Sequence, residues 1–317
     1  MTVLLSTLLS YILWLVAGTT SLFTMLGFCG RVDWRIELFS HFRIQYAILL
    51  SICALVFLLG GDLAGFIFSM VFLAINLSLL APFYRRRKCR AQTQTVYRLF
   101  FANILGTNSS YEKIQNAIEN ARADLVLLVE VRPNHIVALQ NTINGYAQHF
   151  AWPDEDNFGV ALYTNLQVET VEIQDFDGTC TPTLIARLTL EGHQFSLIGM
   201  HPYPPKSKEQ ARRRDHQFAT LAPYAAALSG EVLLAGDLNA TSWSHSFQEL
   251  TRTSGLLDSQ KGFGLQPSWR ANFLPLAIPI DHVLHTPGVC IVNRRLGSPT
   301  NSDHRPIILD FSFMSEA

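Results

Sequence analysis

The placement of charge along this chain constrains its fold more than any other feature. Residues 1–30 carry no charged side chain, and neither do residues 44–61 or 63–84. A bilayer core of ~30 Å takes ~20 apolar helical residues, and each run meets or approaches that length. The sequence therefore predicts three transmembrane helices over about 3–28, 44–61 and 63–84, with Gly60-Gly61-Asp62 as the turn between the last two. A cleaved signal peptide in place of the first span is disfavoured, because no positive segment precedes it and two more spans follow. The first 84 residues hold only Arg31, Arg35, Arg43, Asp33, Glu37 and Asp62, whereas the other 233 hold 21 Lys/Arg and 22 Asp/Glu. The low overall charge, 15%, is thus an average of two unlike parts. A single soluble globule is excluded, and so is a channel that spans throughout.

Positive residues set the expected orientation. The N-terminal segment has none, the first loop has Arg31, Arg35 and Arg43, the second loop has none, and Arg85, Arg86, Arg87, Lys88 and Arg90 follow the third run. Cytoplasmic loops retain Lys and Arg, so the N-terminus is expected outside and the polar part in the cytoplasm. Residues 85–95 read as a basic juxtamembrane linker, and its cluster is also of a kind that holds anionic headgroups. The topology reading alone already accounts for it. No CxxC pair or Cys/His cluster with zinc-like spacing occurs among the five cysteines, so neither a zinc module nor a disulfide scaffold is expected. Sparse cysteines suit a reducing compartment, although two of them remain able to pair.

From residue 96 onward, strand-like and helix-like pieces alternate without repeats. Residues 96–105, 124–131, 159–163, 168–173, 183–190, 195–200, 232–235, 277–284, 289–292 and 307–313 read as strands. Ser109-x-x-Glu112 resembles a capping box ahead of the helical recurrence Tyr111, Ile114, Ile118, Ala121. Pro133 opens a second helix, and 206–228 and 243–254 read as two more. Mixed strands with unevenly interleaved helices indicate an α/β class, two sheets packed face to face with helices outside.

The chemistry-bearing residues are polar groups that end apolar strands, where burial demands a partner, a metal or a hydrogen bond. Glu130 ends DLVLLVEV, His201 follows LIGM, Asp237 and Asn239 stand in GDLNA, Asp281 and His282 in PIDHVLH, and Asp303 and His304 in SDHRP. Singly, each has a bland reading as a turn, a cap or a loop residue. Together they are the inventory of a hard-cation site with acid/base groups.

The order and spelling of these pieces, Asn103 near the first strand, Glu130, GDLNA, then the Asp281 motif and SDHRP some 65 residues after GDLNA, resemble the endonuclease/exonuclease/phosphatase superfamily. The three spans followed by NILGTNSSY and HPYPP look like its bacterial membrane-anchored branch. The resemblance covers about residues 96–313. It implies a DNase I-like four-layer α/β-sandwich at residues 96–317 and a bacterial inner-membrane location. It implies Mg²⁺, with Mn²⁺ as a possible substitute, held by Glu130 with Asn103 and Asp303. In the same reading Asp237 orients or deprotonates the attacking water, and Asn239 holds the water or a phosphoryl oxygen. His304, held by Asp281, contacts the phosphate, and His201 donates to a non-bridging oxygen. Two positions depart from the pattern: Leu105 stands where some members carry an acid, and no second glutamate matches as a carboxylate partner of His201. Asn108 reads equally as a site or a turn residue, and His282 is left out because neighbouring strand residues face opposite sides.

The implied reaction is phosphoester hydrolysis, most plausibly of a phosphodiester, in nuclease-like or phospholipase-C-like fashion. The alternative is an inactive phosphate-binding or scaffold protein, which the intact set of site residues disfavours. Residues 91–317 hold 16 Lys/Arg against 22 Asp/Glu, an acid excess that argues against a general duplex-DNA binder. Lys206, Lys208, Arg212, Arg213 and Arg214 read either as a basic rim or as a solvated helix face. Nucleic acid and lipid headgroup both remain open as substrate. No protein partner is indicated.

Overall fold

The computed structural model describes residues 2–85, 95–176, 178 and 181–313, so most of the basic linker lies outside the described residues. The chain divides into two compact units, one formed mainly by the first 85 residues and one by the rest.

The first unit is helical: α1 (Thr2–Leu26), α2 (Trp34–Glu37), α3 (Arg43–Leu59) and α4 (Leu63–Leu80). A short 3-10 turn, Leu38–Phe42, joins α2 to α3. Three segments are long and apolar enough to cross a membrane: Thr7–Leu26, Trp34–Leu59 and Leu63–Phe83. The second is longer than the sequence suggested, because the charged first loop coils instead of staying open. Arg43 is buried there, its Nη1 donating to the Thr24 carbonyl at 2.7 Å and its guanidinium lying 4.4 Å from the Phe28 ring centroid. It thereby satisfies a carbonyl in the last turn of α1, which no intrahelical partner can reach. Asp62 caps α4 through the Gly65 N–H at 2.9 Å and accepts Trp14 Nε1–H at 2.9 Å.

In the second unit the strands are β1 (Tyr97–Asn103), β2 (Leu125–Val129), β3 (Gln148–Trp152), β4 (Val160–Thr164), β5 (Val168–Asp175), β6 (Pro182–Leu190), β7 (His193–Met200), β8 (Glu231–Asp237), β9 (Leu257–Asp258), β10 (Asp281–His285), β11 (Val289–Leu296) and β12 (Ile307–Phe313). They form two six-stranded sheets, in the orders β11-β12-β1-β2-β4-β3 and β5-β6-β7-β8-β10-β9. Each is mixed: β1–β2 and β7–β8 are parallel, and the remaining pairs are antiparallel. The helices α5 (Tyr111–Ala121), α6 (Pro133–Ala138), α7 (Gln140–Ile143), α8 (Lys208–Ala227) and α9 (His245–Ser254) complete the unit. The result is the two-sheet DNase I-like α/β sandwich.

The continuous apolar strands follow from this layering, because a central strand here is covered on both faces. Leu125, Leu127 and Val129 of β2 join Leu233 and Ala235 of β8 in the core between the sheets. The alternate residues Val126 and Leu128 pack with Ile114, Ile118 and Leu139 of the helical layer, while Val232 and Leu234 pack with Phe218, Leu221 and Phe247 on the other side. Gly199 lets the sheets approach closely: a Cβ there would stand 2.7 Å from the Leu127 side chain. Truncating Leu127 to Ala would cost about 2–5 kcal/mol.

Several local expectations are corrected. The helix α5 has Ser110, not Ser109, at its N-cap and no side-chain cap bond. Ser110 Oγ instead accepts Asn301 Nδ2–H at 2.9 Å. The segment expected as a strand from residue 277 enters β10 only at Asp281, because Ile278 bridges to Trp269. The edge strand β3 was not read from the sequence at all. Cys29 and Cys53 are free thiols, but Cys290 is disulfide-bonded. Pairing depends on approach in space, which cysteine count and spacing do not report.

Candidate active site

The parallel pairs at the centre of the two sheets end on the same side of the sandwich. Asn103 ends β1, Glu130 follows β2, His201 follows β7 and Asp237 ends β8. Strand β10 runs antiparallel to β8 and starts with Asp281 directly opposite Asp237. The segment before β12 adds Asp303 and His304. Sites commonly form at the carboxyl ends of parallel strands, and here two sheets contribute to one.

Asp237 is the hub. It is buried, its Oδ1 accepts the Asn239 N–H at 3.0 Å, and its Oδ2 accepts Asn103 Nδ2–H at 3.0 Å. The Nε2 atoms of His201 and His304 each lie 3.5 Å from that same Oδ2. His304 is held from its other side by Asp281, Nδ1 to Oδ2 at 2.8 Å. Burial alone would lower the His304 pKa, but the Asp281 and Asp237 carboxylates outweigh it and push it up to about 10. Burial likewise opposes protonation of His201, and Asp237 and Glu130 together still raise it. Asp237 goes the other way: burial favours its neutral form, but the His304 and His201 charges hold its carboxyl below the usual range. Both imidazoles are thus set up as hydrogen-bond donors around an ionised carboxylate.

His201 Nδ1 lies 3.2 Å from the Asn157 carbonyl, which it can reach only as an N–H donor. Its carboxylate neighbours are Asp237 and, at 3.9 Å, Glu130. The sequence offered no such partner, because these acids come from different strands. Glu130 sits at φ 58 and accepts Asn103 Nδ2–H at 2.8 Å and the Gly106 N–H at 2.9 Å. Leu105, the residue in place of an acid, also has positive φ, 61, and its N–H donates to Asn103 Oδ1 at 3.0 Å. Non-glycine residues adopt this region at a cost and concentrate at functional sites. Asn103 accordingly presents its amide nitrogen, not its oxygen, to the two carboxylates. In this arrangement it bridges them.

Asn239 is at φ 49, and its Nδ2 donates to the Pro202 carbonyl at 3.0 Å, tying GDLNA to HPYPP. Arg214, expected either at a basic rim or on a solvated helix face, is fully buried and donates from Nη1 to the Asn239 carbonyl at 3.3 Å. His282 points away: Nε2 meets the Ala240 carbonyl at 2.9 Å, and its ring packs on Phe247. Asn108 serves the turn, bonding Ile104, Ser110 and Thr300.

Four supporting residues escaped the sequence reading. Trp269 Nε1 donates to Asp303 Oδ2 at 3.0 Å, and Ser302 Oγ joins the Asn103 carbonyl at 2.9 Å to the His304 N–H at 3.0 Å. Asn157 holds His201, and Ser268 Oγ accepts the Asp281 N–H at 3.2 Å. None of them ends an apolar strand, so the signal that found the others does not mark them.

For a hard cation the donor chemistry fits. Asp303 Oδ1 is buried without a hydrogen-bond partner, and Glu130 adds a carboxylate that is only partly enclosed. Oxygen donors of this kind suit Mg²⁺. The tightest acid/histidine group among the described residues is a different one, Asp237, Asp281 and His304. There the Asp281–His304 hydrogen bond already uses one donor from each residue.

The model of the Endonuclease/Exonuclease/phosphatase family matches residues 100–304, more than half of the chain. The chain belongs to this family. It is accordingly a phosphoester hydrolase of the endonuclease/exonuclease/phosphatase type. Among solved structures it is similar to a humanized D. rerio TDP2, at 18% identity over 68% of this chain and 99% of that one, with a TM-score of 0.58. A truncated Caenorhabditis elegans TDP2 gives 16% identity over 68% and 98%, TM-score 0.57. The human Nocturnin catalytic domain gives 17% over 71% and 96%, TM-score 0.56. At such identities the likeness speaks for the fold. No curated protein sequence matches the chain.

Proposed function

We propose that this family member is a membrane-anchored, Mg²⁺-dependent phosphodiesterase, with Mn²⁺ able to substitute. The observation that carries the reading is the convergence of two imidazoles on one ionised carboxylate, both Nε2 atoms 3.5 Å from Asp237 Oδ2. Glu130 and Asp303 would hold the cation, which when bound neutralises charge that develops on the phosphate. Asp237 accepts from and orients the attacking water. Its depressed pKa makes it a positioning acceptor first and a weak base second. His304, kept protonated by Asp281, and His201 donate to phosphoryl oxygens, as preorganised donors do where negative charge grows. Asn239 keeps the GDLNA turn in place through Pro202. A D. rerio TDP2 structure holds a single-strand DNA product, which supports phosphodiester over monoester chemistry here.

The apolar helices support anchoring, and the loop charges support a C-terminal unit on the cytoplasmic side of a bacterial inner membrane. The Cys290 disulfide argues for the opposite side, because disulfides persist in oxidising compartments. The loop bias agrees at all four segments, and we rest the orientation on it. A C-terminal fluorescent-protein or alkaline-phosphatase fusion decides: fluorescence supports it, phosphatase activity reverses it. The activity itself is tested on the full chain in detergent with bis-p-nitrophenyl phosphate, with Mg²⁺, Mn²⁺ or chelator. Asp237→Asn is the control. Metal-dependent turnover that the substitution abolishes is expected, and a folded protein without turnover on this diester or on single-stranded DNA would refute the reading.

A further inference from the structure

Next to the site stands a surface feature that the hydrolytic reading leaves unexplained. Among the large apolar side chains that the described C-terminal unit exposes, Val96, Val137 and Val292 stand singly. Phe273, Leu274 and Leu276, exposed by 51%, 74% and 40%, fall within four residues. Scattered apolar residues need no explanation, but a cluster marks an interaction surface.

This cluster is the tip of a loop whose base belongs to the site. Trp269 and Ile278 close the loop by reciprocal N–H to carbonyl bonds at 3.0 and 3.2 Å. Trp269 also bridges to His304 and bonds the Asp303 carboxylate. The Ala271 N–H donates to the Asp303 carbonyl at 2.9 Å. Within the tip, Leu274–Leu276 is a 3-10 turn. The N–H groups of Phe273, Leu276 and Ala277 bond to carbonyls within the loop, at 2.8–3.1 Å, and Pro275 has no N–H to satisfy. Backbone groups left open are costly in lipid, and these bonds lower that cost for part of the tip. Arg270, exposed beside the tip, lies over the Trp269 ring at 5.0 Å and offers a cation next to the apolar side chains.

We propose that the 270–277 loop inserts its apolar tip into the bilayer beside the active site, and that the substrate is a phosphodiester in a lipid headgroup. The substrate half rests on the phosphodiesterase reading above. The side-chain chemistry favours lipid over nucleic acid. Of the three tip side chains only Phe273 offers a face for base stacking of the kind single strands require, the tip has one cation, and residues 91–317 carry an excess of acids.

The test uses the full chain in phosphatidylcholine/phosphatidylglycerol vesicles. Leu274→Trp is compared with the parent, whose five tryptophans set the background, using acyl chains brominated to quench fluorescence by contact. Quenching of the added indole is expected. The triple variant Phe273→Ser/Leu274→Ser/Leu276→Ser should keep parental turnover of soluble bis-p-nitrophenyl phosphate. Its release of headgroup phosphate from phosphatidylglycerol in the same vesicles should fall about tenfold or more, as loss of three buried apolar side chains predicts. An unquenched Leu274→Trp overturns insertion. Parental hydrolysis of the soluble diester but of neither vesicle lipid overturns the lipid substrate, as does a triple variant that loses single-stranded DNA cleavage instead. No turnover of any diester defeats the phosphodiesterase reading, while the quenching still reports on the tip.

Discussion

Asp281→Asn isolates the role of one carboxylate, because Asp281 reaches the chemistry only through His304. The native contact is a buried, charge-assisted hydrogen bond of 2.8 Å, and such bonds are roughly twice as strong as neutral ones. Asparagine is nearly isosteric and can still accept from Nδ1–H, so the ring keeps an anchor and loses its counter-charge. Its NH₂ then faces the position of Asp281 Oδ1, which has no partner. An unsatisfied buried donor costs about 1–3 kcal/mol, visible as a moderate fall in Tm. The catalytic loss is set by the donor that is no longer held protonated, about 10²–10³ in kcat, or about 3–4 kcal/mol. KM should change little. Steady-state kinetics of the purified full chain on bis-p-nitrophenyl phosphate would measure both quantities, with a melt as the folding control. The decisive comparison is the double variant with His304→Gln, which should be no worse than His304→Gln alone, because residues acting as one unit are not additive. Additive losses would refute the reasoning, and so would an Asp281→Asn enzyme within a few-fold of the parent.

Three further substitutions probe the supports. Trp269→Phe removes the N–H that orients Asp303 and should raise the Mg²⁺ concentration for half-maximal activity about 10–100-fold, read from a metal titration, with kcat at saturating metal largely kept. Gly106→Ala sets a methyl against the Asn157 carboxamide and 2.8 Å from Arg132 Nε. It should cost about 1–3 kcal/mol by thermal melt and lower kcat, since Asn157 also holds His201. Arg214→Met leaves the Asn239 carbonyl and Asp215 without their guanidinium. It should lower Tm and kcat together, whereas an effect on neither would show that the turn keeps its shape unaided.

What the sequence makes legible is what burial forces to be legible. Glu130, His201, Asp237, Asp281 and His304 each interrupt or end an apolar run, and the fold brings all five together because the runs are central strands with common ends. The same logic explains the gaps. Strand β3 lies at a sheet edge with half-exposed side chains, so QHFAW carries no periodicity strong enough to read. Trp269, Asn157, Ser268 and Ser302 sit in loops, and their contacts are fixed by tertiary approach. Arg214 looked like surface charge because its neighbours Arg212 and Arg213 are, yet it occupies the inward face of α8. A run of cations does not say which member turns inside.

Asn103 shows a second limit, that residue type predicts capacity but not use. An Asn at the end of β1, beside Glu130, has an oxygen to offer a cation. The backbone after it uses that oxygen: Leu105 and Glu130 both take positive φ, the Leu105 N–H donates to it, and the amide nitrogen lies between Glu130 and Asp237. Two carboxylates from different sheets are thereby joined by one neutral donor. Asp303 and Glu130 have the oxygen chemistry to take a metal, and each also lies 3.9 Å from an imidazole, Asp303 from His304 and Glu130 from His201, while Asp237 faces both rings. A substitution at Asn103 should therefore disturb the metal requirement and the water-orienting acid together, which no change at either carboxylate alone would do.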